Sequence, residues 1–292
     1  MSSERRTPAR PAPALAAAGV RPTKSRGQNF LVNPAVAERI VAAANLEPGD
    51  EVLEIGPGLG ILTENIVEQP IGRLVLVELD RRLAERLAMR FAEFEVVRVV
   101  NEDFLHLDLK AEYLNPPLIT IGNLPFNVAA AILRKLSDNA ALFKRLVLMF
   151  QREVAERIRA RPGSTGYSAL SVYTALYWKI DLHFKVAAGS FHPRPKVDAE
   201  VMRIVPLENR VFAPDEEARL LTVIRAAFSA PRKTIRNTLS RALKLPTDRI
   251  VAALDEARIQ PAARPETLSA GDFARLARLL RGDLQTLDTR DA

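Results

Sequence analysis

The sequence predicts an α/β protein with a doubly wound, mostly parallel sheet, closed by an antiparallel hairpin and followed by a small all-helical domain. Three observations support this prediction. Strand and helix patterns alternate over residues 33–177, which is typical of parallel strands joined by helices. Two strand-like runs, 180–186 and 199–205, then flank a proline-rich turn. Beyond Pro206 only helical patterns occur.

Local signals predict where the individual elements begin and end. Asn33 followed by Pro34 is an N-cap and first-position pair that starts a helix, and Asp80 and Asn127 are placed to cap two later helices. The strands are short apolar runs bounded by turn residues. In chain order, the predicted elements are helix 35–46, strand 51–55, a helix to about 69, strand 74–77, helix 81–90, strand 96–100, strand 118–121, helix 128–136, strand 145–150, a helix from 152, helix 168–177 and the strands 180–186 and 199–205.

Composition divides the chain into four predicted regions. A length of 292 residues is suited to one large or two modest domains. Residues 1–23 contain four prolines and an excess of basic residues, so we expect a disordered basic extension. Residues 24–207 form the predicted sheet domain, 208–282 the helical domain and 283–292 a tail.

Positive charge is concentrated in two segments. The chain has 42 Lys and Arg against 35 Asp and Glu, a formal net charge of +7. Residues 1–28 carry six basic residues against one Glu, and residues 225–250 carry seven against one Asp. Such clustering is typical of a polyanionic partner, for example a nucleic acid. A solvated tail and a solvated helix face are the alternative interpretation.

Residue counts exclude several classes of site. Without cysteine the chain has no disulfide, thiolate zinc site, iron–sulfur cluster or cysteine nucleophile. The three histidines, His106, His183 and His192, are not at metal-ligand spacing, so we expect no metal centre. No run approaches the ~20 apolar residues of a membrane span, and the N-terminus is a poor signal peptide. The expected location is the cytoplasm, with no membrane partner.

A glycine-rich turn follows the first predicted sheet strand. Gly56, Gly58 and Gly60 lie between this strand and a helix, where backbone can approach a ligand closely. A dinucleotide fingerprint requires its third glycine at position 61, which is Ile, so an NAD-dependent dehydrogenase is disfavoured. The observed spacing, with Glu54 two residues before the first glycine, is typical of S-adenosylmethionine (SAM) enzymes. Glu54, Gly56 and Gly58 are therefore predicted cofactor-binding residues.

Two further acidic residues end the next predicted strands. Glu78 is placed to accept hydrogen bonds from both ribose hydroxyls of SAM, and Asp103 to accept one from the adenine amino group. Ligands of open α/β sheets bind at the carboxyl ends of the strands, where both residues are expected. An ordinary turn is the alternative interpretation of the glycines.

The sequence Asn123-Leu-Pro-Phe126 follows a buried strand at the same predicted edge. It matches the [DNS]-x-P-[YF] pattern of enzymes that methylate amino groups of adenine or cytosine. A conjugated exocyclic amine is a poor nucleophile, so the Asn123 side-chain oxygen and the Leu124 carbonyl are predicted to accept its two N–H bonds. Phe126 is predicted to stack on a base extracted from its helix. No strong general base is required, because the methylated amine loses its proton readily.

Six ordered blocks over residues 24–282 resemble one family. They are Gly-Gln-Asn-Phe-Leu at 27–31, Glu-Ile-Gly-Pro-Gly-Leu-Gly at 54–60, Val-Glu-Leu-Asp at 77–80, Asn-Leu-Pro-Phe at 123–126, Phe-His-Pro-Arg-Pro-Lys-Val-Asp at 191–198 and Arg-Lys-Thr-Ile-Arg-Asn-Thr-Leu at 232–239. Together they resemble the KsgA family of small-subunit rRNA adenine dimethyltransferases. The resemblance implies a Rossmann-like SAM-dependent methyltransferase domain with a helical C-terminal RNA-binding domain. It also implies dimethylation of two adjacent adenosines near the 3′ end of 16S rRNA in the assembling small ribosomal subunit, with a monomer as the simplest expectation.

The resemblance also implies roles for individual residues. Asn29 and Leu31 would contact SAM, and Asn123 would bind both the cofactor and the target amine. Phe191 would stack on the opposite face of the target base from Phe126. A loop anchor packed on the core is the alternative for Phe191.

The basic block at 232–239 is the predicted RNA contact. Arg232, Lys233 and Arg236 have the i, i+1, i+4 spacing of one helix, which lets two of them share a face toward phosphates. A solvated helix face is the alternative.

The chain departs from the family pattern at one site residue, and two alternative functions are compatible with the sequence. The family usually has Tyr where this chain has Phe126, so a hydrogen bond from that hydroxyl is absent. Related antibiotic-resistance enzymes that methylate large-subunit rRNA share the SAM turn and the Asn-x-Pro-aromatic block, although the blocks at 191–198 and 232–239 favour the small-subunit enzyme. A relative that mainly binds RNA during ribosome assembly is the other alternative.

Overall fold

The computed structural model describes residues 29–111, 114–125 and 127–288, with side chains described through residue 284. The chain divides into two compact units. The first contains the residues up to Ala155 together with Lys179–Pro206, and the second contains Glu156–Trp178 and the residues from Leu207 on. The predicted extension at 1–23 lies outside the described residues.

The first unit is an α/β sheet unit, which confirms the predicted fold class. Its main sheet has seven strands, which are β2 (Glu51–Ile55), β3 (Arg73–Val77), β4 (Val97–Val100), β5 (Leu118–Asn123), β6 (Phe143–Gln151), β7 (Trp178–Val186) and β9 (Ala199–Pro206). Their order across the sheet is β4-β3-β2-β5-β6-β9-β7, and β1 (Phe30–Leu31) and β8 (Phe191–His192) form a separate pair. Strands β4, β3, β2, β5 and β6 are parallel, and β9 runs antiparallel to β6. The strand order reverses between β2 and β5, and ligand sites of such sheets lie at this switch point.

Two short strands were not predicted. Phe30–Leu31 (β1) and Phe191–His192 (β8) form an antiparallel pair in which Leu31 is opposite Phe191. Two residues carry no measurable periodicity, so the sequence pattern could not reveal this pairing. The pair fixes the segment that begins at Asn29 to the proline-rich turn.

The helices of the first unit cover the sheet. They are α1 (Pro34–Ala44), α2 (Ile61–Ile66), α3 (Arg81–Arg90), α4 (Ala129–Asp138) and the first half of α5 (Arg152–Arg159). Apolar side chains from alternate strand positions, including Val52, Leu74 and Ile119, pack with Ile40 of α1 and Ile66 of α2 in one buried cluster. Each such side chain stabilises the fold by roughly 1.5–3 kcal/mol when fully buried.

Two of the three predicted caps are confirmed. Asn33 accepts a hydrogen bond from the Val36 N–H at 3.3 Å, and Asp80 accepts one from the Arg82 N–H at 3.1 Å. The cap at Asn127 is wrong, because Val128 is the N-cap residue of α4 and makes no side-chain cap bond. Helix α1 also ends two residues before its predicted end, because Asn45 adopts a left-handed φ of 46°.

The second unit is helical. Its helices are α6 (Ala169–Tyr177), α7 (Glu217–Ala227), α8 (Ile235–Leu243), α9 (Thr247–Glu256), α10 (Ala270–Leu279) and α11 (Arg281–Asp288). Residues 156–178, which the sequence analysis assigned to the sheet domain, belong here because α6 packs against α7 and α10. Helix α11 extends into the predicted tail. Among the described helices, none has the length and apolar character needed to cross a membrane.

Candidate active site

A cavity opens at the carboxyl edge of the parallel strands, on the first unit. Its lining includes the ends of β2, β3 and β5, the residues after β4, and the segment leading into β1. The predicted site residues that line it are Asn29, Leu31, Gly56, Gly58, Glu78, Asp103, Asn123 and Leu124. Asn29 and Asn123, which are 94 positions apart in sequence, are thus brought to one site.

The glycine turn forms one wall of the cavity. Gly56 and Gly58 have φ values of 65° and 60°, in the left-handed region that favours glycine. A Cβ atom at Gly58 would lie 3.0 Å from the Phe30 ring. The lack of a side chain at Gly58 therefore lets Phe30, which also lines the cavity, pack directly on the turn.

Glu78 links the end of β3 to this turn. One of its carboxylate oxygens accepts the Gly58 N–H at 3.0 Å, and the other accepts the Asp80 N–H at 2.9 Å. Burial raises the pKa of Glu78, and the hydrogen bonds from these backbone groups oppose that effect. Because each carboxylate oxygen has two lone pairs, both retain the capacity to accept a further bond from a ligand.

Glu54 does not reach the cavity lining. It is 1% exposed and accepts a hydrogen bond from Thr63 Oγ1 of α2 at 2.7 Å. Its other carboxylate oxygen, Oε1, is buried without a hydrogen-bond partner among the described residues. Burial raises the pKa of Glu54 to about 8, while the bond from Thr63 acts in the opposite direction. Glu54 is predicted from the sequence to bind the cofactor, but the structure places its side chain behind the glycine turn, where it connects β2 to α2.

The raised pKa predicts how stability depends on pH. The folded state binds a proton at Glu54 up to about pH 8, whereas the unfolded chain releases it near 4.5. The free energy of unfolding that this group contributes therefore falls as pH rises from 4.5 to about 8. We expect Glu54→Gln, which retains an acceptor for Thr63, to remove this fall. Urea unfolding at pH 5.5 and 8.5 measures the change in the free energy of unfolding, with Glu51→Gln as the control. An equal change in wild type and Glu54→Gln would contradict the expectation.

Asp103 lies at the turn after β4. Its Oδ1 accepts the Leu105 N–H at 2.9 Å, and its Oδ2 is 3.6 Å from Nδ1 of the exposed His106. Its backbone carbonyl accepts the N–H groups of His106 and Leu107. These bonds hold the carboxylate at the cavity, where Glu102 and Phe104 are its neighbours in the lining.

Asn123 ends β5 beside the unpredicted β1 segment. Its Nδ2 donates to the Asn29 carbonyl at 2.9 Å, which fixes the orientation of the side-chain amide. Its Oδ1 is then a buried acceptor without a hydrogen-bond partner among the described residues. A buried polar atom of this kind is costly unless a ligand satisfies it. Asn123 is also part of the cavity lining, so the unsatisfied oxygen belongs to a residue that borders this space.

The two predicted stacking rings have different outcomes. Phe126 lies outside the described residues. Phe191 is 4% exposed, belongs to the same buried cluster as Leu31 and Val201, and is absent from the cavity lining. This packing corresponds to the core-anchor alternative, and the stacking role of Phe191 stays a prediction.

Comparison with known families decides the assignment. A family model described as "Ribosomal RNA adenine dimethylase" matches residues 20–281 of the chain. The chain belongs to the ribosomal RNA adenine dimethylase family.

Relatives within and near this dimethylase family cover most of the chain. "Ribosomal RNA small subunit methyltransferase A" of Syntrophotalea carbinolica is 42% identical over 261 residues, which is 89% of this chain and 97% of the relative. The solved dimethyladenosine transferase of Plasmodium falciparum has a TM-score of 0.75 at 24% identity and covers 87% of this chain and 98% of its own, which shows the shared fold. The solved 23S rRNA methyltransferase ErmE has a TM-score of 0.65 at 29% identity and covers 87% of this chain and 100% of its own.

The basic block of this dimethylase lies on the second unit. Arg232, Lys233 and Arg236 are exposed, but they do not lie on one helix as predicted. Arg232 has a left-handed φ of 63°, and Thr234 is the N-cap residue of α8, so only Arg236 is helical. The three cations are thus presented by a loop and the first turn that follows it.

Phe30 and Phe104 are two aromatic residues of the cavity lining that the sequence did not predict. Phe30 stands between Asn29 and Leu31 in the quoted block, yet its contact with Gly58 depends on the β1–β8 pairing. Phe104 follows Asp103 directly and lines the cavity. An apolar residue next to a predicted acidic ligand is the only signal that points to it.

Proposed function

We propose that this member of the dimethylase family transfers methyl groups from SAM to the exocyclic amino group of rRNA adenines. The observation that carries the proposal is the buried Asn123 Oδ1, which has no hydrogen-bond partner among the described residues and belongs to a residue that lines the same cavity as Glu78, Asp103 and the glycine turn. An acceptor held in place beside such a cavity is suited to one of the two N–H bonds of a target amine.

The residues present fit SAM. Gly56 and Gly58 line the cavity without side chains of their own, and the Glu78 carboxylate is immobilised by two backbone N–H groups while retaining lone pairs for ribose hydroxyls. The Asp103 carboxylate would accept a hydrogen bond from the adenine amino group. Asn29, just before β1, and Leu31, in β1, would contact the cofactor. When bound, SAM supplies an electrophilic methyl group on a sulfonium.

In the proposed mechanism the chain orients the amine rather than deprotonating it first. Asn123 Oδ1 and the Leu124 carbonyl accept the two N–H bonds, which directs the nitrogen lone pair out of conjugation with the ring. Phe126 stacks on the extruded base, as the sequence predicts. The amine loses its proton after the methyl group has been transferred, so histidine is not required. A second turnover on the same nitrogen gives dimethyladenosine.

The proposed substrate is the small-subunit rRNA. Relatives that match 89–90% of this chain are named as small-subunit methyltransferases, which supports two adjacent adenosines near the 3′ end of 16S rRNA as the target. We place the reaction on the assembling small subunit in the cytoplasm, with a monomeric enzyme. The second unit supplies an RNA-binding surface, and residues 1–23 add a basic arm.

Transfer of labelled methyl groups tests the substrate. Wild-type enzyme and labelled SAM are incubated with small subunits and, separately, with large subunits, both from cells without the corresponding methylation. The expected result is label in the small-subunit rRNA alone. Label only in large subunits would assign the chain to the activity named for ErmE, and SAM binding without transfer to either would leave an RNA-binding role in assembly.

The basic block predicts a salt-dependent contribution to RNA affinity. We expect the triple change Arg232→Ala, Lys233→Ala and Arg236→Ala to weaken binding to small-subunit rRNA and to lower the slope of log K against log salt by about 2–3, since each lost phosphate contact removes about 0.9. SAM affinity is expected to be unchanged. Filter binding at several salt concentrations measures the slope.

A matched triple change separates position from total charge. Arg258→Ala, Arg264→Ala and Arg275→Ala remove the same number of exposed cations from the same unit. The slope is expected to change little in this control. Equal slopes for the two triple variants would contradict a specific RNA contact at residues 232–236.

A further inference from the structure

Lys135 of α4 is a half-buried lysine that contacts the loop after β4. Its ammonium donates to the Leu105 carbonyl at 3.0 Å and to the Leu107 carbonyl, and it lies 5.4 Å from the centroid of the Phe104 ring. Lysine is rarely buried without such partners. Three contacts from one side chain therefore converge on residues 104–107.

The charges around Lys135 come from the same loop. Burial lowers the pKa of Lys135, and the neighbouring carboxylates of Glu102, Asp103 and Asp108 oppose that shift. The ammonium thus lies within electrostatic range of three acidic groups that would otherwise repel one another. Removal of its charge would leave these carboxylates uncompensated at one end of the cavity.

The loop that Lys135 contacts carries part of the cavity lining. Glu102, Asp103 and Phe104 all line the cavity, whereas Lys135 itself does not. Asp103 Oδ1 and the Asp103 carbonyl accept hydrogen bonds from N–H groups of the following residues, so these bonds lie within the loop itself. Lys135 adds bonds from a different element, α4, which begins six residues after Asn123.

We propose that Lys135 is a positioning residue for the adenine end of SAM. It connects the loop at 103–107 to α4 and so directs the Asp103 carboxylate at the adenine amino group. The proposal rests on the proposed function, because it takes SAM as the ligand of this cavity. Lys135 acts through Asp103 and touches neither the cofactor nor the target base.

A pair of ligands that differ at the adenine amino group and, as a consequence, in the proton on the neighbouring ring nitrogen tests this role. Titration calorimetry measures the affinity of the full chain for S-adenosylhomocysteine and for its deaminated counterpart, in which a carbonyl oxygen replaces the amino group. Wild type is expected to prefer the amino compound. Lys135→Met is expected to bind the amino compound about tenfold more weakly, the effect of losing one charge-assisted hydrogen bond, and the deaminated compound almost as well as before. The preference ratio therefore falls.

Lys144→Met is the matched control. Lys144 is also partly buried and makes bonds to Glu47 and Asp50 at 2.8 and 2.9 Å, but it lies outside the cavity lining. Lys144→Met also removes two hydrogen bonds of a lysine ammonium, and it is expected to leave the preference for the amino compound over the deaminated compound unchanged. If Lys135→Met does not fold, Lys135→Gln carries the same test, and Lys135→Arg is expected to restore part of the preference.

The outcomes separate this proposal from the proposed function. An unchanged ratio in Lys135→Met, or equal weakening of both ligands, overturns the positioning role while SAM binding stands. Wild type that binds both ligands without preference overturns the assignment of Asp103 and the role of Lys135 with it. Wild type that binds neither ligand overturns the proposed function itself.

Discussion

Asn123→Ala is expected to reduce the rate of methyl transfer at saturating SAM by about 10²- to 10³-fold, the usual effect of removing one oriented polar group from a transition state. Asn123 Oδ1 is a buried acceptor without a partner among the described residues, and alanine leaves the target amine without this orienting bond. The affinity for SAM is expected to fall by less than about tenfold, since at most one hydrogen bond to the cofactor is lost. Single-turnover transfer and calorimetric titration measure the two quantities separately.

Asn139→Ala is the matched control for this change. Asn139 Nδ2 also donates to a backbone carbonyl, that of Lys135 at 2.9 Å, but the residue is absent from the cavity lining. The rate of methyl transfer by Asn139→Ala is expected to equal that of wild type. A rate for Asn123→Ala within about threefold of wild type would contradict the orienting role, because a lost transition-state hydrogen bond costs far more.

Glu78→Ala is expected to weaken SAM binding by about 10²-fold or more, because two hydrogen bonds to a charged carboxylate are lost. The change also removes the acceptors for the Gly58 and Asp80 N–H groups, which are 3.0 and 2.9 Å from the carboxylate. The turn then loses one of its hydrogen bonds to the end of β3 and retains that from the Gly56 N–H to the Val77 carbonyl at 2.9 Å. Equilibrium titration with SAM measures the affinity, and thermal unfolding of the same sample establishes that the variant is folded.

Two further variants make the Glu78 result specific. Glu78→Gln retains one acceptor oxygen and is expected to bind SAM with intermediate affinity. Glu51→Ala removes a carboxylate from β2 that pairs with Arg73, outside the cavity lining, and is expected to leave SAM affinity unchanged. Wild-type affinity in Glu78→Ala would show that the cofactor is held elsewhere.

Motifs at the ends of strands were predictable because the sheet itself imposes their positions. Parallel strands place their carboxyl ends at one edge, so Gly58, Glu78, Asp103 and Asn123 had to approach one another once the strands were recognised. The pattern of short apolar runs and capping residues was sufficient for this step. The same reasoning could not locate Glu54, because its side chain points behind the turn toward Thr63.

Features that depend on pairing between distant residues were not predictable. The orientation of the Asn123 amide is set by the carbonyl of Asn29, 94 residues earlier, through a two-residue strand without periodicity. An aromatic residue in a proline-rich turn gives no indication of whether it faces the core or the cavity, so the stacking role that the resemblance implies for Phe191 and the core-anchor alternative both remained open. Similarly, the left-handed φ of Arg232 interrupts a helix that the spacing of the basic residues had suggested.

The most direct test of the account is the identity and position of the reaction product. Small-subunit rRNA treated with the enzyme and SAM is digested to nucleosides for mass analysis and, in parallel, to fragments that locate the modification. The account predicts N6,N6-dimethyladenosine at two adjacent positions near the 3′ end, and none with Asn123→Ala. A product methylated on another atom or another base, or dimethyladenosine formed equally well by Asn123→Ala, would contradict it.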